Sequence, residues 1–163
     1  MTTDKPNPTH EAVDALLAAN GVTVAIAGAG ATKRDDWECD AWRVTFRRSN
    51  KEFTTDYFTG IGHRSKPTPH HGASYTVNTL AWHSWQATRK PVKPHVAGVL
   101  QSLILDASAL DENFGDWCAN FDYSEDSIKA LGTYTACCDN GRKLRATLGR
   151  DLVEQLAKLL EDY

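Results

Sequence analysis

Histidine is the residue type in this chain best suited to metal or acid–base chemistry. Three of the six histidines fall in one stretch, "TGIGHRSKPTPHHG", residues 59–72. His63, His70 and His71 share it with two prolines and three glycines, and His83 and His95 follow further along. A zinc centre needs about four ligands converging tetrahedrally, and the spacing here fits no standard zinc pattern. The cysteines Cys39, Cys118, Cys137 and Cys138 include no C-x-x-C pair. In a reducing compartment they are expected to be free thiols, several of them buried. Adjacent Cys137 and Cys138 would point in different directions on a helix, which keeps them from serving one site. Cys39 or Ser65 with His63 supplies the residue types of a nucleophile and a base, but neither sits in a nucleophile elbow or activated-thiol context.

Two further constellations carry chemistry. In "VAIAGAGATK" glycines follow an apolar run, as they do where backbone amides approach a phosphate. The third glycine of a dinucleotide fingerprint is missing, as is the Gly-Lys-Ser/Thr ending of a P-loop, so the stretch reads as a mobile strand end. In "AWHSWQATRK", Trp82, His83 and Trp85 are followed closely by Arg89 and Lys90. Such an array can stack bases and track a phosphate chain, but tryptophans also serve as core or interface anchors.

The elements that must position these residues are legible from periodicity. Residues 1–21 read as a polar tail and a short helix, with Thr9 as N-cap, Val13, Leu16 and Leu17 inward, and Gly21 as the stop. Residues 22–163 read as one α+β domain. Its sheet region, residues 22–58, holds a strand from Val22 to Ala27, a flexible "GAGATKRDD" connection, and two strands paired as an antiparallel hairpin about "SNK". In "AWRVTFRR", Trp42, Val44 and Phe46 take one face and Arg43, Thr45 and Arg47 the other; Phe53 and Tyr57 follow in the return strand. Residues 59–95 hold four prolines and read as a long loop region. Residues 96–163 read as a bundle of about four helices. The first follows Pro94 and turns Val96, Val99, Leu100, Leu103, Ile104 and Ala107 inward. The second is capped by Asp111, with Phe114, Trp117, Cys118 and Phe121 inward. The third is capped by Ser124 and stopped near Gly141, and the last turns Leu152, Leu156, Leu159 and Leu160 inward. The expected architecture is a small antiparallel sheet packed against these C-terminal helices.

Charge sharpens the reading. Residues 1–95 carry 12 Lys and Arg against 9 Asp and Glu, whereas residues 96–163 carry 6 against 12. The acidic half disfavours nonspecific nucleic-acid binding and suits a basic partner, including a protein that itself binds nucleic acid. With no apolar leader at the N-terminus and no apolar run of membrane-spanning length, a cytoplasmic location is expected.

Three segments, "WECDAWRVTF", "FTTDYFTGIGHR" and "VLQSLILDASALDENFGDWCANFDYSEDSIKALGTYTACC", resemble a group of small proteins of unassigned activity encoded by phages and prophages of Gram-negative bacteria. The resemblance spans about residues 36–163. It rests most on Trp37, Trp42, Gly60 to Arg64, Asp106, Phe114, Trp117, Cys118, Tyr123, Asp126, Ser127, Tyr134 and Cys137. It implies a phage protein acting in the bacterial host cytoplasm. Small, acidic-leaning phage proteins of this size often inhibit host immunity, as anti-CRISPR proteins do, by occupying the surface of a nuclease or effector complex. On that reading no cofactor or catalytic residue is needed, and Glu112, Asp116, Glu125, Asp126, His63 and Arg64 are the partner-binding candidates. Two alternatives remain: a nucleic-acid-binding phage protein using Trp82, Trp85, Arg89 and Lys90, and a metal-dependent enzyme using His63, His70 and His71.

Overall fold

The computed structural model describes residues 7–34, 37–59, 63–64, 75–76 and 93–163. Helix α1 spans Pro8–Ala19. Its cap is Asn7 rather than Thr9: the Asn7 carboxamide oxygen accepts the Thr9 amide at 2.9 Å, and Pro8 occupies the first helical position, where no amide is needed. Val13 and Leu17 are buried, and Gly21, at φ +69°, turns the chain into the sheet.

Strands β1 (Val22–Arg34), β2 (Trp37–Arg48) and β3 (Lys51–Thr59) form an antiparallel meander in the order β1-β2-β3. The expected alternation holds: Trp42, Val44, Phe46, Phe53 and Tyr57 are buried on one face. Phe46 and Phe53 lie opposite each other with ring centroids 6.3 Å apart. The outer face pairs Arg43 with Asp56 and Thr45 with Thr54. Ser49, at φ +55°, and Asn50 make the tight turn between β2 and β3.

The expected end of β1 at Ala27 is corrected, because pairing with β2 continues to Arg34. The glycines do not end the strand. The register shifts between Gly28 and Gly30, with Gly30 at φ +97°, so one extra residue is absorbed as a bulge and the ladder resumes. Within residues 59–95, the short strands β4 (His63–Arg64) and β5 (Tyr75–Thr76) pair with each other antiparallel.

Helix α2 (Val96–Ala107) is capped by the His95 side chain, whose Nδ1 accepts the Ala97 amide at 3.0 Å. It buries Val96, Val99, Leu100, Leu103 and Ala107, and a 3-10 turn (Ser108–Asp111) continues from it. Asp111 therefore lies in that turn, and the cap of α3 (Phe114–Asn120) is Asn113, whose side chain accepts the Asp116 amide. The cap of α4 (Ile128–Leu148) is likewise Ser127 and not Ser124, which instead closes the turn before it: its carbonyl accepts the Ser127 amide at 3.0 Å. Gly141 does not stop this helix. It is where α4 crosses α2, and a Cβ built there would sit 2.7 Å from the Ala107 Cα. Gly149, at φ +85°, then separates α4 from α5 (Arg150–Leu159). Leu152 and Leu156 point inward, while Leu159 is substantially exposed, contrary to expectation.

The core has two parts. One joins the inner sheet face to α1, α2, α5 and the end of α4 through Leu144 and Leu148. The other surrounds the fully buried Trp117 with Cys118, Ala130, Cys137 and Cys138, bordered by Phe114, Phe121, Tyr123 and Tyr134. Trp117 stacks on Tyr123 at 5.1 Å and meets Tyr134 edge-on. All four cysteines are free and buried. Among the described residues, no helix is long and apolar enough to cross a membrane.

Candidate functional site

The acidic residues singled out by charge come together around α3 and the start of α4. Asp116 lies in the first turn of α3, where its carboxylate accepts from the Asn113 carboxamide at 2.8 Å. Glu125 reaches back over the same turn. Gly115 leaves the room for it, since a Cβ there would approach the Glu125 Oε1 to 3.1 Å. Asp126 follows Glu125 and directly precedes the Ser127 cap, at the end of α4 where the helix dipole favours an anion. Asp116, Glu125 and Asp126 are all exposed. Glu112 is more enclosed: it accepts from Asn120 at 2.7 Å, and its carbonyl accepts the Tyr134 hydroxyl at 2.8 Å. Its carboxylate is the least available of the four.

Packing makes this face firm. Beneath it lies the Trp117 cluster, which α3 and α4 share. Many of the residues singled out in the sequence are accounted for by this packing. Phe114, Trp117, Cys118, Tyr123, Tyr134 and Cys137 build the cluster, and Ser127 caps α4. Asp126 differs from them, because its side chain is exposed on the surface.

A pair of residues outside the sequence-based candidates also belongs to this face. Ile128, the first residue of α4, is 90% exposed, and Leu131, one turn on, is 52% exposed. The buried side of α4 runs through Ala130, Thr133, Cys137, Gly141, Leu144 and Leu148. That row advances by three or four residues at each step, and positions 128 and 131 fall off it. This offset is the signal in the sequence that could have revealed them.

His63 and Arg64 lie in β4, which pairs with β5, and their side chains are outside the described residues. Trp82, Trp85, Arg89, Lys90, His70 and His71 are outside them altogether.

A concavity of about 450 Å³ lies between β3 and helices α2 and α4. Its floor carries Asp106, 2% exposed, whose carboxylate accepts from the Cys137 thiol at 3.6 Å and from the Asn140 carboxamide at 3.1 Å. Arg43 and Asp56, 3.5 Å apart, stand at its mouth. Burial first, and the Asp106 carboxylate second, push the Cys137 thiol far above its ordinary value of 9.0. It is therefore held protonated, the opposite of what a nucleophilic thiolate requires.

His95 also touches a carboxylate, Asp14, at 3.0 Å. Because its Nδ1 accepts the Ala97 amide, its Nε2 carries the proton and donates to Asp14. That tautomer makes His95 a helix cap and a tie to α1, and its ring stacks on His10 at 3.9 Å. Among the described residues, no group of three or more His, Cys, Asp or Glu side chains could hold a metal ion.

No protein-family model matches the chain, and comparison with curated proteins and with solved structures finds no similar protein.

Proposed function

We propose that this protein is a phage-encoded inhibitor of a bacterial defence system, similar in action to anti-CRISPR proteins. It acts by stoichiometric binding to a nuclease or effector complex in the bacterial cytoplasm. The observation that carries the reading is the acidic face of α3 and α4, where Asp116, Glu125 and Asp126 stand exposed on a firmly packed support. A surface that presents carboxylates in fixed positions suits the lysines and arginines of a nucleic-acid channel, and such complementarity governs association rate and partner choice. The phage-protein resemblance supplies the biological context.

The reading is tested by a plaque assay on a host with an active defence system and by gel filtration with the purified effector complex. The wild-type protein should restore plaques and co-elute with the complex. The Glu125→Lys, Asp126→Lys double variant should fold normally but bind roughly tenfold or more weakly, with the wild-type interaction weakening as salt is raised. Failure to restore plaques and to co-elute with any member of a panel of defence systems would sink the proposal.

A further inference from the structure

The apolar pair on α4 is not used by the fold. Ser127 fixes Ile128 as the first helical residue through the bond from the Ala130 amide to the Ser127 hydroxyl. The buried row of α4 then faces the core on its other side. A single exposed aliphatic residue is ordinary on a protein surface. Here two stand one turn apart on one helix face, and Gly132 beside them has nothing within 4 Å of where its Cβ would be. The pair is therefore open to approach.

What surrounds it decides what can cover it. Between residues 121 and 131 the sequence has three acidic residues, Asp122, Glu125 and Asp126, and one basic residue, Lys129; Asp139, further along the helix, is already paired with Arg142 and Lys143. A second copy of the chain is a poor occupant. A second copy would present the same rim, Asp122, Glu125 and Asp126 against Lys129, and surfaces of like net charge repel. A basic partner has the opposite problem solved, since its cations would meet the carboxylate rim while an apolar recess took the two side chains. An apolar centre with a polar rim is the usual anatomy of a specific interface.

We infer that Ile128 and Leu131 are the anchor of a docking surface for a basic protein that offers an apolar recess within its positive face. This rests on the proposed function for the identity of the partner, but not for its chemistry.

The test places a photo-crosslinking p-benzoylphenylalanine at position 132 of the full chain, which leaves the anchor in place, and irradiates host cells that express it. The expected product joins the chain to a different protein, identified by mass spectrometry, with a basic surface at the crosslinked peptide. Its yield should fall roughly tenfold or more in the Ile128→Ser, Leu131→Ser variant, as hot-spot truncation does. The same should follow for Glu125→Lys with Asp126→Lys, while circular dichroism shows both variants still folded at the assay temperature. A product joining two copies of the chain, a product indifferent to either pair of substitutions, or no product would overturn the inference. A partner that meets these criteria but belongs to no defence system would uphold the docking surface and overturn the proposed function instead.

Discussion

Cys137 illustrates how a buried group's chemistry is set by what it touches. Its thiol donates to Asp106 and lies in the cluster around Trp117. Folding raises its pKa, so the folded chain keeps this proton at pH values where the unfolded chain has lost it. The stability contributed by this group is therefore complete below 9.0, its unfolded value, and is lost as pH rises from there towards the folded value. Cys137→Ser retains a donor for Asp106 but does not titrate in this range. Urea unfolding at a series of pH values should show wild type losing stability faster than this variant above about pH 9, with slopes differing by at most about 1.4 kcal/mol per pH unit. Equal slopes would mean that the thiol is not held by its surroundings as described. The sequence pointed to cysteines outside any disulfide, several of them buried, as the structure has them. It gave no sign of the Asp106 contact, because residues 31 positions apart become neighbours only when α2 and α4 cross.

At the scale of elements, two glycines on α4 separate local propensity from packing. Gly132 is exposed with open space around it, and Gly141 is buried against Ala107. Alanine is the better helix former at both positions, by roughly 0.8–1 kcal/mol. Gly132→Ala should therefore stabilise the protein by up to about 1 kcal/mol in thermal or urea unfolding. Gly141→Ala should instead destabilise it by about 1–3 kcal/mol, because the added methyl must push the α2 backbone away. A stabilised Gly141→Ala variant would show that the helices are not in close contact. The same two forces explain where sequence reading held and where it failed. Strands β2 and β3 were legible because a half-buried sheet imposes strict alternation on Trp42, Val44 and Phe46. The second half of β1 was not, because Gly28 and Gly30 read locally as a break and only pairing with β2 turns them into a bulge. Gly141 read as a stop for the same reason, and α4 carries on because α2 lies against it. The acidic face was legible as composition; its apolar anchor was not, because Ile128 and Leu131 stand out only against the buried row of α4 that packing defines.

For the whole molecule, α4 is the spine. Its first half supplies Ala130, Cys137 and Cys138 to the Trp117 cluster, and its second half supplies Leu144 and Leu148 to the sheet-side core. Arg48, at the end of β2, donates to the Leu148 carbonyl, which ties the sheet to the end of the same helix. Neither part of the core can dissolve without freeing a helix that the other requires. The protein should consequently unfold in one transition, with tryptophan fluorescence and far-UV circular dichroism giving the same urea midpoint. Separate midpoints would show that the Trp117 cluster melts by itself. A one-piece scaffold of this kind also keeps Asp116, Glu125, Asp126 and Ile128 in fixed relation, so a partner need not order them on binding.

The contact of α1 with the last residue has a consequence for engineering. His10 Nε2 lies 2.7 Å from the Tyr163 hydroxyl, and the Tyr163 carbonyl accepts from Gln101 at 2.9 Å. The two ends of the described chain thus meet side by side, which is the arrangement that lets a polypeptide be rewired as a circular permutant. A short linker could join residue 163 to residue 7, with new ends opened at the exposed Ser49–Asn50 turn. Such a chain would keep the α3–α4 face far along the sequence from either new end, and reporter groups could be fused at the hairpin instead of beside Tyr163.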